Sequence, residues 1–273
     1  MSDSVTAKLR FGLLFGAAVS LARRRWATLL VLMLFLDWGP HLVLELAGVR
    51  GYDPSQHNAA AFAQYALQAG VLAFCGLLMQ TSAMAVGLGG SGEPVSVRRA
   101  LGRVLGRLPA LAPWWLAIAV PTAATLWVRW ASSSDSAVYA VSTWRIVGSS
   151  VFVIGLGCAI GVFPLVVLAE KLSGYQALVR CLRLMDGRRG DVFVVVFFAN
   201  ITGLLINLTT PYATLAAARV GLGRVGILAA YFLMQFGWEA VAVVFNLAYV
   251  ELYRELVRAH DGVAPEDVAH VFA

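Results

Sequence analysis

The first long apolar stretch decides the fold class of this chain. Residues 23–48 read RRRWATLLVLMLFLDWGPHLVLELAG, in which three arginines precede an apolar run long enough to cross a membrane as a helix of about 20 residues. Hydrophobic residues make up 60% of the 273 residues and charged residues 13%, with a mean hydropathy of +0.77. A water-soluble globule needs more polar surface than this. We therefore predict an integral membrane protein.

Five further apolar stretches follow the first, and together they predict an all-α fold. We expect a polytopic transmembrane helix bundle with six spans, forming a single integral membrane domain over residues 1–273. The predicted spans cover about residues 26–48, 59–86, 108–130, 146–169, 192–218 and 225–253. Interfacial amphipathic helices are expected over about residues 8–25, 96–107 and 173–185.

Positive charges are distributed unequally between the two sides of these spans. Sixteen of the 21 Lys and Arg residues fall on one side, and the other side has only Arg50, Arg129, Arg145, Arg219 and Arg224. Because Lys and Arg resist translocation, we expect a multi-pass protein of the bacterial inner (cytoplasmic) membrane with both termini cytoplasmic. Topology and anionic headgroups explain the net charge of +6, so nucleic acid is not expected as a partner.

Three ionisable residues lie inside the first predicted span. Asp37, His41 and Glu45 recur every four residues, which places their side chains along one face of a helix. Asp37 follows the arginine triplet by about 11 residues, or about 16 Å, and is therefore near the middle of the bilayer. An aspartate there costs about 2.5–3.5 kcal/mol unless it is protonated, paired or hydrated. We expect this face to point into the bundle.

Other predicted spans carry polar residues at helical spacing: Gln64 and Gln68 in the second, Asn200 and Asn207 in the fifth, and Gln235, Glu239 and Asn246 in the sixth. Together with Asp37 and His41 they can line a hydrated cavity or a proton path. The alternative is that they only fix helix packing. A divalent metal held by Asp37, His41, Glu45 and Glu239 is chemically feasible, but no second His or Cys is near them. We predict no metal and no cofactor.

Two internal amphipathic helices and the turns beside them carry arginines where anionic lipid headgroups lie. The candidate contacts are Arg99, Arg103, Arg107, Arg180, Arg183, Arg188 and Arg189. Each basic residue near an anionic surface contributes about 1 kcal/mol of attraction, and guanidinium suits phosphate. The alternative is that these arginines only set the topology.

The same two helices resemble each other in sequence. Residues 96–105 match residues 173–182 at Ser, Ala, Leu, Arg and Leu, with a constant offset of 77. A parallel internal duplication explains the match. Two unrelated amphipathic helices that use the same common residues explain it as well.

The second copy and its surroundings resemble a known family. Pro164-Leu-Val-Val-Leu-Ala-Glu170 is followed by Ala177-Leu178-x-Arg180-x-Leu182 and by Gly187-Arg188, and the last span ends in Tyr249-Val-Glu-Leu-Tyr253-Arg254. This pattern is similar to the bacterial integral membrane family related to the membrane domain of glycerophosphoryl diester phosphodiesterases, although Cys181 stands where that family often has Ser. The resemblance implies a six-span helical domain. The chain lacks the soluble barrel that carries hydrolysis in those phosphodiesterases, so their activity is not implied.

No catalytic motif accompanies this architecture. The sequence has no nucleophile elbow, zinc-protease motif or compact Ser/His/Asp arrangement. We predict a non-enzymatic accessory or lipid-interacting component of a membrane assembly, with membrane lipids and a membrane protein as partners. The alternatives are a small transporter, or proton or solute pathway, that uses Asp37, His41 and Glu239, and an intramembrane enzyme that acts on lipids.

Overall fold

The computed structural model describes residues 11–47, 59–89, 95–131, 151–152, 154–221 and 223–262, and all regular structure in them is helical. The first segment comprises α1 (Phe11–Leu32), a π-helical turn (Met33–Trp38) and α2 (Gly39–Leu46). The helices that follow are α3 (Ala59–Leu88), α4 (Val97–Leu105), α5 (Leu108–Ala131), α6 (154–160), α7 (Phe163–Glu170), α8 (Gly174–Leu184), α9 (Arg189–Arg219) and α10 (Gly223–Asp261). The all-α prediction is confirmed.

Three of the described helical segments are long and apolar enough to cross a membrane. They are Phe11–Leu44, Ala63–Leu88 and Ala229–Asp261. Shorter apolar helices cover Leu108–Val120 and Ile154–Glu170. The chain is therefore a helical membrane protein.

Serine residues begin the two amphipathic helices close to the predicted positions. Ser96 precedes α4, and its Oγ accepts a hydrogen bond from the Arg99 N–H at 3.3 Å. Ser173 precedes α8, and its N–H donates to Gln176 Oε1 at 3.3 Å. Both contacts satisfy polar groups that the first turn of a helix leaves without intrahelical partners.

The N-terminal region differs from the prediction of a separate interfacial helix over residues 8–25. Helix α1 continues through Arg23, Arg24 and Arg25 without a break, because arginine favours helix and neither Gly nor Pro separates the two predicted elements. The backbone changes only near Pro40, which has no N–H to donate and whose ring crowds the preceding turn. The π-helical turn, in which the Gly39 N–H bonds to the Leu34 carbonyl, accommodates this proline without ending the helix.

Two later elements also differ from their predicted bounds. The fourth predicted span, 146–169, contains α6 and α7 with a turn at residues 161 and 162 between them, and part of it lies outside the described residues. Helix α10 continues past residue 253 as far as Asp261. Ion pairs three residues apart, Arg254 with Glu251 and Arg258 with Glu255, favour this extension.

Buried residues concentrate at the end of the protein that carries the two amphipathic helices, α4 and α8. We call this end the basic end, because both helices carry arginines. The core there combines the C-terminal part of α3, α7 up to Ala169, the inner face of α8 and the C-terminal half of α10. Gly87 allows α3 to approach α10, because a Cβ at this position would lie 2.8 Å from Val250 Cγ2. Gly157 of α6 likewise faces Val196 of α9, where an added Cβ would lie 2.7 Å from Cγ1.

Candidate functional site

Arg180 on α8 is the centre of a polar cluster at the basic end. Its Nε donates to both carboxylate oxygens of Glu170, at 3.2 Å and 3.0 Å. Its Nη1 donates to Asp261 Oδ1 at 3.1 Å, and its Nη2 donates to Asp261 Oδ2. The hydrogen bonds to Asp261, together with Glu170, raise the pKa of Arg180 above its already high value. This guanidinium is permanently charged and is paired with two carboxylates.

Glu170 has a second donor, which lies on α10. The Tyr253 hydroxyl donates to Glu170 Oε1 at 2.9 Å, and Tyr253 is completely buried. The Glu170 side chain is only 16% exposed, so these partners replace most of its water. Glu170, Arg180, Tyr253 and Asp261 together form what we call the arginine clamp, which joins α7, α8 and α10.

A second contact joins the α4–α5 junction to the α7–α8 junction. Lys171, which follows α7, has a left-handed backbone with φ of 55°, a conformation that costs a residue with a side chain roughly 1–2 kcal/mol. Its carbonyl oxygen accepts a hydrogen bond from Arg107 Nη1 at 3.0 Å. Arg107 therefore has a structural contact of its own.

Several positions of α4 and α8 that are 77 residues apart are alike in burial. Ala100 and Ala177 are buried, Val104 and Cys181 are buried, and Leu105 and Leu182 are exposed. A glutamate, Glu93, also stands 77 residues before Glu170, outside the described residues. A parallel duplication would produce this pattern. The duplication itself stays a prediction.

The seven arginines proposed for lipid contact have different surroundings. Arg99, Arg183 and Arg189 are exposed, whereas Arg103, Arg107 and Arg188 are partly buried and Arg180 belongs to the arginine clamp. Exposed aromatic residues accompany them: Trp26 is 64% exposed and Tyr175 78% exposed. The Thr28 hydroxyl donates to the Val95 carbonyl at 3.1 Å, which places Thr28, two residues after Trp26, near the start of α4. Trp and Tyr are the aromatic residues enriched at headgroup level.

A second polar cluster joins the first helical segment to α10. Asp37, in the π-helical turn, is 7% exposed, and Glu239 on α10 is 6% exposed. The charge of Asp37 interacts electrostatically with Glu239 and with Cys75 of α3. His41 in turn interacts electrostatically with Asp37. Electrostatic interactions therefore link Asp37, His41 and Glu239, three residues that the sequence already grouped as a possible polar path.

The remaining polar candidates are not all part of this cluster. On α10, Asn246 is buried and Gln235 is partly buried. Asn200 donates from Nδ2 to the Val196 carbonyl of its own helix at 2.8 Å. Gln64 is exposed and Gln68 partly buried. The side chains of Glu45 and Asn207 lie outside the part of the chain whose side chains are described.

Metal and thiol chemistry have little structural support. Within the described ranges, no three His, Cys, Asp or Glu side chains are grouped to hold a metal ion. Cys75, Cys158 and Cys181 are free cysteines. Burial raises the pKa of Cys181 to about 12, which keeps this thiol protonated and unreactive.

Sequence reasoning missed how Tyr253 and Asp261 participate in the arginine clamp. Asp261 lies 81 residues after Arg180, in a segment expected to have left the helix, and no periodic pattern connects them. Glu170, Arg180 and Tyr253 belong to the motifs that carry the family resemblance, but nothing in the sequence pairs them with one another. No protein-family model, curated protein or solved structure matches this chain.

Proposed function

We propose that the protein is a non-enzymatic, six-span component of the bacterial inner membrane with both termini cytoplasmic. It acts as an accessory or lipid-interacting part of a membrane assembly. In this proposal the basic end faces the cytosol, and anionic lipid headgroups bind along its surface.

The observation that carries the proposal is the division of arginines at the basic end. Arg180 has its charge matched by Glu170 and Asp261, and Arg107 bonds to a backbone carbonyl. Arg183 and Arg189, by contrast, have exposed side chains, and Tyr175 at the start of α8 is exposed as well. Exposed guanidinium groups suit phosphate, and an exposed tyrosine is typical of headgroup level.

The arginine clamp supports this function indirectly. It holds α8 against α7 and α10, so the exposed arginines of α8 and of the start of α9 are carried by a fixed surface. A fixed cationic surface loses less entropy on binding headgroups than a flexible one does. The resemblance to a family related to lipid-ester phosphodiesterases is consistent with a lipid-related role.

Lipid retention tests the proposal. The purified protein, reconstituted in vesicles of mixed zwitterionic and anionic phospholipid, is extracted and its co-purifying lipid is measured. Arg183→Gln combined with Arg189→Gln is expected to lower anionic-lipid retention several-fold, whereas the matched pair Arg219→Gln with Arg129→Gln, on the opposite side, leaves it unchanged. Equal retention in both double variants would leave topology as the only role of these arginines.

Orientation and partners need separate measurements. A reporter enzyme fused after Ala273 should be active only in the cytoplasm, and periplasmic activity would contradict the proposed orientation. Affinity capture from native membranes should recover a protein partner or enriched anionic lipid. Recovery of neither would contradict the accessory role.

A transport function is the second candidate, and the Asp37–Glu239 cluster is the observation that favours it. Buried ionisable residues in membrane helices often mark ion or proton paths. Reconstituted liposomes with an internal pH dye would report proton movement. If no proton or solute moves, and Asp37→Asn with Glu239→Gln alters only stability, this candidate is excluded.

A further inference from the structure

We infer that Asp37 and Glu239 form one proton-binding site inside the membrane, in which two carboxyl groups share a single proton. The site is distinct from the lipid surface at the basic end and does not depend on it. It assigns one shared proton to a specific pair of residues within the polar set that the sequence predicts as a hydrated cavity or a proton path.

Both carboxyl groups have lost nearly all contact with solvent. Asp37 is 7% exposed and Glu239 is 6% exposed. Asp37 Oδ2 is fully buried and has no hydrogen-bond partner among the described residues. A buried carboxylate oxygen without a donor is costly, and a proton bound to one carboxyl group supplies a donor that the other can accept.

The charges around the pair do not neutralise two carboxylates. In the described part of the chain, the groups that act on Asp37 or face it are His41 on α2, Cys75 on α3 and Glu239 on α10. His41 is partly buried and carries at most one positive charge. Two carboxylates that repel each other at low dielectric cannot both remain ionised, so one retains a proton.

Aromatic contacts link the π-helical turn that contains Asp37 to α10. The Trp38 ring contacts the rings of Phe236 and Phe232, with centroids 5.4 Å and 5.6 Å apart. Phe236 lies three residues, or about one helical turn, before Glu239. Asp37 and Trp38 are adjacent in the π-helical turn before Pro40, and π-helical turns are frequent at functional sites.

A membrane-soluble carbodiimide, dicyclohexylcarbodiimide, tests for the shared proton in the intact wild-type protein. The reagent takes the proton of a carboxylic acid onto one nitrogen, and the carboxylate oxygen then adds to its central carbon. The product rearranges to a stable N-acylurea that mass spectrometry locates. We expect an adduct on Glu239 or Asp37 at neutral pH and a several-fold loss of it at alkaline pH. Glu255, whose side chain is exposed, is the internal control and should stay unmodified.

The coupling between the two groups gives a second readout. In Asp37→Asn, Glu239 no longer faces a second carboxyl group, so its labelling should fall at a lower pH than in the wild type. Glu255→Gln should leave the labelling profile unchanged. Wild-type protein without an adduct on either residue at neutral pH, or an unshifted profile in Asp37→Asn, would overturn the inference. If Asp37→Asn does not fold, infrared spectra of the wild type decide: a protonated-carboxyl band at neutral pH that disappears on alkaline titration supports the site, and its absence contradicts it.

Discussion

Arg254 on α10 donates a hydrogen bond from Nη2 to the carbonyl oxygen of Gly87 on α3, at 2.9 Å. The contact joins residues 167 positions apart, where the absence of a side chain at Gly87 lets the two helices touch. Gly87 thus allows the close approach and also provides the acceptor.

A methyl group at Gly87 should destabilise this contact. Gly87→Ala places a Cβ 2.8 Å from Val250 Cγ2 and 2.9 Å from Leu247 Cδ2, which forces the helices apart. We expect a loss of about 1–3 kcal/mol in the free energy of unfolding, measured by denaturant titration in detergent. Gly76→Ala in the same helix is the control, because nothing lies within 4 Å of its added Cβ. The Gly76→Ala variant should be as stable as the wild type or more stable by up to about 1 kcal/mol. Equal losses of stability in both variants would contradict the packing argument.

Loss of Arg180 should destabilise the protein far more than loss of its neighbour Arg183. Arg180→Gln leaves Glu170 and Asp261 without their cation, and we expect a decrease of about 2–3 kcal/mol in the free energy of unfolding. Arg183→Gln removes an exposed charge of the same helix and should change the free energy of unfolding by less than about 0.5 kcal/mol. Thermal unfolding in one detergent compares the two, and similar midpoints would mean that the arginine clamp does not stabilise the fold.

Removal of the Tyr253 hydroxyl should cost less than removal of Arg180. Tyr253→Phe keeps the buried ring but deletes the donor to Glu170 Oε1, for an expected loss of about 1–2 kcal/mol. Tyr175→Phe, at an exposed position, should have no measurable effect. In a double-mutant cycle with Glu170→Gln the two losses should be non-additive. Additive losses would show that the hydroxyl acts elsewhere.

The Cys181 thiol should resist alkylation in the folded protein. Its side chain is completely buried and its pKa is raised to about 12, so little thiolate forms between about pH 7 and 9. We expect a water-soluble maleimide to modify Cys181 only after unfolding, with no acceleration over this pH range. In Tyr175→Cys the new exposed thiol should react rapidly, and faster at higher pH. Rapid modification of Cys181 in the native protein would contradict its position in the core.

Local signals predicted much of the helical layout. Hydropathy and the serines at 96 and 173 gave the positions of α3, α4, α5, α8 and α9 to within a few residues, because these signals act over one or two helical turns. The triplet Arg23 to Arg25 was misleading, since it suggested that one helix ends and another begins there. Helix α1 continues through all three residues. The extension of α10 was also missed, because polar residues that end an apolar run need not end a helix.

Polar spacing along single helices grouped Asp37 and His41 with Glu239, but no pattern identified the partners of Arg180. Four-residue spacing nominated Asp37 with His41, yet a π-helical turn at residues 33–38 changes the angular offset between residues on its two sides. The charge of Asp37 reaches Glu239 only because α10 packs on the first segment, which no local pattern specifies. The same holds for Arg180 and Asp261. Long-range pairs depend on tertiary packing and cannot be deduced from one sequence.

The length of α10 has a consequence for shortened forms of the protein. With 39 residues the helix extends about 58 Å, nearly twice the thickness of a hydrocarbon layer, and Asp261 stands at its last position. A premature stop between residues 254 and 260 would spare every predicted crossing, and hydropathy plots would rate the product as intact. Such a product would nevertheless lack Asp261, which holds Arg180 of α8. We expect quality-control proteases to degrade it.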